Sequence, residues 1–223
     1  MKIGGVLKFS TLDYPGKLSA IVFCQGCPNR CIYCHNPDFL DTTAAGNVDL
    51  QDFLEFLETR IEKLEAIVFS GGEPLLQPDL PEVMKTVKKF GFLIGLHTSG
   101  VVPDMLQDVL NIIDWVGFDI KTSFQNYHKV TRLPSSGILA EKSLNKLLSA
   151  NVNFEVRTTL DLRNIEEQDL YEVAKFLKNK GIKKWVLQEC ILRNNDGNFK
   201  IPLPDQRVLS NIAQYISIEI RRE

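Results

Sequence analysis

The sequence contains no long apolar run and almost no net charge. No segment approaches the roughly 20 consecutive apolar residues that cross a bilayer, and the N-terminal residues MKIGGVLKFSTLDYPGK lack the apolar stretch of a signal peptide. The formal net charge is -2, so no overall positive field exists to hold a nucleic-acid backbone or an anionic membrane. We therefore expect a cytoplasmic protein that binds neither nucleic acid nor a membrane.

Cysteine is scarce and unevenly placed. Only five cysteines occur, and four of them lie between Cys24 and Cys34. Such a tight group cannot staple distant parts of a fold together as a disulfide framework does. In a reducing compartment, thiols bind metal or do chemistry more often than they form disulfides. The group therefore predicts a metal or cofactor site, whereas Cys190 is interpreted as an ordinary buried thiol.

Repeats, low-complexity tracts and clear linkers are absent, and the 223 residues fit one domain over 1–223. Apolar periodicity predicts strands alternating with helices. We expect Asn47 or Asp49 to cap the first helix. The polar stretch 193–204 is predicted to form the most mobile loop. About six strand-helix units are fewer than the eight that close a barrel, so we predict an α/β fold with a partial (β/α)6 barrel of parallel strands. A flat doubly wound sheet is the alternative. The strands are predicted at 18–23, 66–70, 92–98, 114–121, 153–159 and 184–188, with helices including 48–64, 79–90 and one at the C-terminus.

Polar motifs follow the first four predicted strands. They are CQGC, GGEP, HTSG and DIK, in chain order. Because loops at the carboxyl ends of parallel strands converge where such folds bind ligands, we expect these four motifs to form one site.

The cysteines of CPNRCIYC stand at spacings of four and three. Three thiolates in one loop can wrap a single iron-sulfur cluster and leave one iron free for a ligand, which suits chemistry better than simple electron transfer. The alternative is a zinc site that adds Cys24 to make two CxxC pairs. Only three residues separate those pairs, whereas zinc ribbons place roughly 15 to 20 between them. Cys24 itself is interpreted as a buried strand-end thiol.

The CxxxCxxC motif after the first strand, with Tyr33 just before its last cysteine, resembles the signature of the radical S-adenosylmethionine superfamily. The longer segment TLDYPGKLSAIVFCQGCPNRCIYCHNPD resembles the glycyl-radical-enzyme activating branch, and within it the anaerobic ribonucleoside-triphosphate reductase activating proteins. The resemblance covers most of the chain. It implies that Cys27, Cys31 and Cys34 hold a [4Fe-4S] cluster that reductively cleaves S-adenosylmethionine to begin radical chemistry.

The other site residues are expected on two grounds. By the resemblance, Gly72 and Glu73 bind the methionyl amine of the cofactor, and Tyr33 lies near its adenine. Glu73 can accept from an ammonium group, and the hydroxyls of Thr98 and Ser99 suit a ribose or carboxylate. Each of these segments also has a purely structural interpretation. GGEP can be a plain turn, Tyr33 can be a packing aromatic, and HTSG can be an ordinary strand end. The full set of expected cofactor contacts is Tyr33, His35, Gly71, Gly72, Glu73, Pro74, Thr98, Ser99, Asp119, Lys121 and Arg157, with Lys121 also expected in catalysis beside the cysteines.

Three further expectations concern charged residues and the first turn. Asp119 and Lys121 should lie on one side of a strand, as a clamp for a zwitterion or as a simple ion pair. Related activating enzymes often carry an aspartate that helps bind a monovalent cation at the position matching His97, and this departure puts such a cation site in doubt. The segment 13–16 is interpreted as a turn, which the resemblance brings near the target peptide.

The resemblance also implies the partners. The protein substrate would be a glycyl radical enzyme, namely the large reductase subunit, whose backbone glycine loses a hydrogen, and the electron donor would be of flavodoxin or ferredoxin type. Only one cluster is expected, because the chain lacks further cysteine triads. Two alternatives stay open: a small-molecule radical enzyme related to 7-carboxy-7-deazaguanine synthase, and a zinc-stabilised binding protein without catalysis.

Overall fold

The computed structural model describes residues 1–194 and 197–222, and its central feature is a run of six parallel strands. Each strand pairs with the next one along the chain. A doubly wound sheet reverses its strand order at a switch point, and this run does not. The predicted partial barrel is therefore confirmed over the doubly wound alternative. The strands are β2 (Ser19–Cys24), β3 (Ala66–Gly71), β4 (Leu93–Thr98), β5 (Trp115–Asp119), β6 (Asn153–Leu160) and β7 (Lys184–Glu189).

Helices fill the connections between these strands and bury their apolar stripes in the main core. The Asp49 side chain caps the first helix by accepting from the N–H of Gln51, as predicted. That helix ends at Glu58 rather than near residue 64, because the Thr59 hydroxyl donates to the Phe56 carbonyl and Glu62 takes a left-handed φ of 64°. The helices are α1 (Leu50–Glu58), α2 (Leu80–Lys89), α3 (Pro103–Val109), α4 (Tyr127–Thr131), α5 (Ser136–Leu148), α6 (Glu167–Asn179) and α7 (Gln206–Ala213).

Two strands that the periodicity does not predict extend the sheet to eight. β1 (Ile3–Ser10) pairs antiparallel with β2, and β10 (Ser217–Arg221) pairs parallel with β7. The predicted mobile loop at 193–204 is partly wrong, since β8 (Ile191–Asn194) and β9 (Gly197–Lys200) pair antiparallel through it. Residues 195 and 196 of that stretch lie outside the described residues. Over the described ranges, every helix is too short or too polar to cross a bilayer.

The turn between β1 and β2 closes the base of the barrel. Tyr14 is buried there in a small apolar cluster with Ile21, Val68 and Trp115, and its ring centroid lies 5.3 Å from that of Trp115. Gly95 leaves room for it, because a Cβ at that position would lie 3.0 Å from the Tyr14 ring. The predicted turn at 13–16 is confirmed, and it plugs the end of the barrel opposite the cysteine loop.

Candidate active site

The motifs that follow β3 and β4 are joined by one buried carboxylate. Glu73 is 1 % exposed. It accepts from the hydroxyls of Thr98 and Ser99 over 2.7 and 2.6 Å, and from the N–H groups of Ser99 and Leu75 over 3.0 and 3.3 Å. Burial raises the pKa of Glu73, and these donors oppose that shift. Since a carboxylate has about four acceptor sites, Glu73, Thr98 and Ser99 here hold the two strand ends together.

The glycines before Glu73 let the β3 turn touch the start of the cysteine loop. The N–H groups of Gly72 and Glu73 donate to the carbonyls of Cys24 and Gly26, each over 2.9 Å. A Cβ on Gly72 would lie 2.3 Å from the Gly26 carbonyl oxygen, and Gly71 has a φ of 104° that favours glycine. Pro74 is buried and begins a short 3-10 turn. The GGEP segment is thus hydrogen-bonded to the start of the cysteine loop and supports it.

The cysteine loop is also supported from the far side of the barrel. The N–H of Arg30 donates to the Thr131 carbonyl over 2.7 Å, and the N–H of Ile32 to the Val130 carbonyl over 3.3 Å. The Arg30 guanidinium donates back to the Cys27 carbonyl over 2.6 Å. The loop that follows β2 therefore rests on the end of α4, which follows β5.

The three predicted ligand cysteines are free thiols in this loop. Cys27 is buried, whereas Cys31 and Cys34 are partly exposed. Burial raises the pKa of Cys27 to about 12 and also raises the pKa of Cys31, while the nearby Lys121 ammonium opposes both shifts. The thiols of Cys27 and Cys31 therefore keep their protons in the metal-free chain, and metal binding must release them.

The zinc alternative would need Cys24 as a fourth ligand beside the three loop cysteines. Zinc requires four ligands that converge on one ion at about 2.3 Å from each sulfur. Within residues 1–194 and 197–222, no three His, Cys, Asp or Glu side chains converge around a point that could hold a single ion. Cys24 is fully buried at the end of β2, and burial raises its pKa further above the usual range. Cys190 is likewise buried.

The strand-end charges of β5 and β6 form one network. Asp119 accepts from Nζ of Lys121 over 3.2 Å and from Nε of Arg157 over 2.8 Å, and both cations hold the pKa of its carboxyl well below the usual range. Asp119 and Lys121 thus lie together as an ion pair, although β5 ends at Asp119 and Lys121 follows it. Lys121 Nζ also lies 5.9 Å from the ring centroid of Tyr33, which brings it under the cysteine loop.

His97 lies between this network and the turn that plugs the base. Its Nε2 lies 2.9 Å from the Asp13 carbonyl oxygen and 3.2 Å from Nη1 of Arg157. Burial and the Arg157 guanidinium, 3.2 Å away, lower the pKa of His97 to about 3 and keep the ring neutral. The Arg157 guanidinium thus lies between His97 and Asp119 and contacts both.

Several polar atoms around the cysteine loop are buried without a partner. They are Oη of Tyr33, Nε2 of His35, Oδ1 of Asn29 and Oγ1 of Thr122. Buried polar groups are nearly always paired, so a ligand or water bound beside the loop would satisfy these atoms. Together with three thiols on one loop, these atoms fit a cluster and a polar cofactor bound beside it.

Sequence reasoning missed two residues of this site. Asn29 donates to the Ser99 hydroxyl over 3.0 Å, and Arg30 braces the loop. Neither residue had a local signal in the sequence. The predicted cofactor contacts otherwise gather around the strand ends, and their roles remain predictions.

Comparison with known proteins places the chain in a family. The sequence matches the radical SAM superfamily over residues 21–187. It is 30% identical to a candidate glycyl-radical enzyme activating enzyme of Methanocaldococcus jannaschii, with 95% of this chain and 90% of that protein aligned. It is 27% identical to pyruvate formate-lyase 1-activating enzyme of Escherichia coli K12, with 79% of this chain but only 62% of that longer protein aligned.

The fold is shared with solved structures. Streptococcus suis SuiB bound to S-adenosylmethionine superimposes with a TM-score of 0.66 at 12% identity, over 89% of this chain and 48% of that one. The family match and the first of these relatives extend over most of the chain, so they decide its membership. The chain belongs to the radical SAM superfamily, in its branch of glycyl-radical enzyme activating enzymes, whose cofactors are a [4Fe-4S] cluster and S-adenosylmethionine.

Proposed function

We propose that the chain removes a hydrogen atom from a backbone glycine of a partner enzyme, and that this partner is anaerobic ribonucleoside-triphosphate reductase. The observation that carries the proposal is a three-cysteine loop braced over the strand-end motifs, in a chain whose relatives are named glycyl-radical enzyme activating enzymes. The choice of reductase rests on the opening segment 11–38.

The chain's own residues would bind, orient and shield the reacting groups. Cys27, Cys31 and Cys34 would hold the cluster, and the GGEP turn would present its backbone to the cofactor's amine. When bound and reduced, the cofactors supply a 5′-deoxyadenosyl radical that abstracts hydrogen. The fixed strand ends would hold donor and acceptor in a reactive orientation.

The charged network would orient the cofactor's carboxylate and its sugar. Lys121 and Arg157 carry positive charge toward the site, and Asp119 keeps both cations in place. A carboxylate that joins this network would make charge-assisted hydrogen bonds. Tyr33, with an unpaired Oη, and His35 would contact the adenine side. The electron would come from a carrier of flavodoxin or ferredoxin type.

The test uses the anaerobically reconstituted chain with its reductase partner. The partner would be labelled with deuterated glycine and incubated with S-adenosylmethionine and a reduced carrier. We expect a glycyl radical signal in the electron paramagnetic resonance spectrum and deuterium in the 5′-deoxyadenosine. A partner with alanine in place of the reactive glycine should give neither result.

Three outcomes would contradict the proposal. Zinc without iron would remove the chemistry altogether. Formation of 5′-deoxyadenosine with no glycyl radical in this reductase, but with one in another glycyl radical enzyme, would change the partner. Consumption of a small pterin-like substrate instead would favour the small-molecule radical enzyme.

A further inference from the structure

Three exposed cations lie on the cysteine loop and on the end of α4 that is hydrogen-bonded to it. Arg30 belongs to the loop itself, Lys129 belongs to α4, and Arg132 directly follows α4. We refer to Arg30, Lys129 and Arg132 as the basic face. Because the backbone of Arg30 is bonded to that of Thr131 over 2.7 Å, the two halves of this face are fixed against each other. The backbone beneath the basic face therefore supports the loop, whereas the side chains of Lys129 and Arg132 are exposed and take no part in that support.

The segments that build this face contain no acidic side chain. Neither 24–37, which contains the cysteine loop, nor 120–140, which contains α4, has an Asp or Glu. The chain as a whole has 28 acidic residues against 26 basic ones. An acid-free contact between two distant segments thus stands out from the nearly neutral molecule, and it creates a local positive field.

Carboxylates from neighbouring elements offset this charge only in part. The exposed Asp41 carboxyl is close enough to Arg30 to interact with it electrostatically. A cavity of about 630 Å³ beside α4 is lined by Lys129 and Arg132 together with residues of the turn before α6. In that turn Asp161 is paired with Arg163 over 2.8 Å. Glu167 and Asp205, which also line the cavity, lie 3.1 and 3.8 Å from Arg207, which neutralises part of their charge. Glu166 lies 3.9 Å from Lys129, and both side chains are exposed, so water weakens the pair. Arg132 has no ion pair among the described residues.

We propose that the basic face is the docking surface for an acidic one-electron carrier protein. The inference rests on the proposed function, because a reduced cluster needs an electron from outside. The carrier would lose one electron and the cluster would gain it, with no bond made or broken in this chain. Such encounters bury little area and depend on charge steering, which three exposed cations provide.

The position of the face favours a carrier over the glycine-bearing partner. Lys121 and Tyr33 lie close together and are largely buried, whereas the side chains of Arg30, Lys129 and Arg132 are exposed. Hydrogen abstraction requires contact between the reacting atoms, but an electron can cross a thin layer of protein. Docking on these exposed side chains therefore suits electron entry and leaves the site around Lys121 and Tyr33 free for substrate.

The test measures binding of a reduced, acidic flavodoxin to the cluster-loaded chain. Lys129→Glu with Arg132→Glu should weaken binding by roughly tenfold or more, and the affinity of the unchanged chain should fall as salt is added. The matched control is Lys89→Glu with Lys142→Glu, which changes the net charge equally on α2 and α5. Because Arg132 has a left-handed φ of 58°, Arg132→Gly provides a second variant that removes charge without adding strain.

Reduction by dithionite separates the possible failures. With dithionite, the charge variants should form 5′-deoxyadenosine at the rate of the unchanged chain, and only the flavodoxin-driven rate should fall. Equal flavodoxin binding by the charge variants and their controls would overturn the docking surface alone. Charge variants that change the reduction potential of the cluster but bind flavodoxin as before would also overturn the docking surface, since the cations would then act only on the cluster. No 5′-deoxyadenosine from the unchanged chain with dithionite would overturn the proposed function instead.

Discussion

At the scale of single residues, the two kinds of cysteine can be told apart by what surrounds them. Cys31 lies partly exposed on the supported loop beside Lys121, while Cys24 is fully buried at the end of β2. Neighbouring charge and exposure favour a ligand at the first position and a packing thiol at the second.

The first prediction follows from this difference. Cys31→Ala should abolish assembly of the cluster, reducing iron from about four per chain to near zero, and should abolish 5′-deoxyadenosine formation. Cys24→Ala should keep the iron, because only a small buried group is lost. Iron, sulfide and zinc analysis measures both. Loss of bound metal in both variants to the same degree would favour the four-cysteine zinc site.

His97 gives a prediction on acid stability. In the folded chain the pKa of His97 is about 3, against 6.5 for the free side chain, so below about pH 6.5 the unfolded chain binds one more proton. The free energy of unfolding therefore falls as the pH is lowered from 6.5 toward about 3. The fall is at most about 1.4 kcal/mol per pH unit. Above pH 6.5 the residue contributes no pH dependence.

The variant His97→Gln tests this. Glutamine can donate to the Asp13 carbonyl but does not titrate. Urea unfolding of the cluster-free, reduced chain at pH 7 and pH 5.5 should show a smaller loss of stability in the variant than in the unchanged chain. An identical loss in both would mean that other groups cause the acid sensitivity.

At the scale of elements, the tightest junction is that between the turn after β3 and the cysteine loop. Gly72→Ala should cost about 1–3 kcal/mol of unfolding free energy, because its Cβ would lie 2.3 Å from a carbonyl oxygen. The same change should displace the loop and lower iron incorporation. Gly5→Ala is the matched control, since its Cβ would meet only a side-chain atom at 3.5 Å. Thermal unfolding and iron content would measure both effects, and equal behaviour would contradict the proposed support.

The elements also show what could be predicted from the sequence. The six parallel strands were predicted because each is a short apolar run between turn residues, and the strand-end motifs converge because parallel strands force them to. The edge strand β1 was missed, since Gly4 and Gly5 break its pattern. The paired backbones of Arg30 and Thr131 could not be predicted, because the two residues are far apart in the sequence and neither carries a local signal of the contact.

At the scale of the whole molecule, one apolar core connects the two ends of the chain. Buried residues from Ile3 to Ile216 belong to the same cluster, and helices from every unit contribute to it. A chain with one continuous core unfolds cooperatively. We therefore expect a single domain over residues 1–223.

The corresponding measurement is chemical unfolding followed by two probes. Far-ultraviolet circular dichroism and the fluorescence of Trp115 and Trp185 should change at the same urea concentration, since both tryptophans are buried in the barrel. Limited proteolysis under native conditions should release no stable fragment. Two separated transitions would show that the chain divides into independent units.

The bracing of the cysteine loop has a consequence for protein synthesis. The loop is translated early, but Thr131, which holds its far side, follows about a hundred residues later. At 5–20 residues per second, this gap lasts roughly 5 to 20 s on the ribosome. During that time the thiols are exposed on an unsupported segment. The finished loop can therefore receive iron only after more than half of the nascent chain has emerged. Iron supplied earlier would meet a loop that lacks its contact with Thr131.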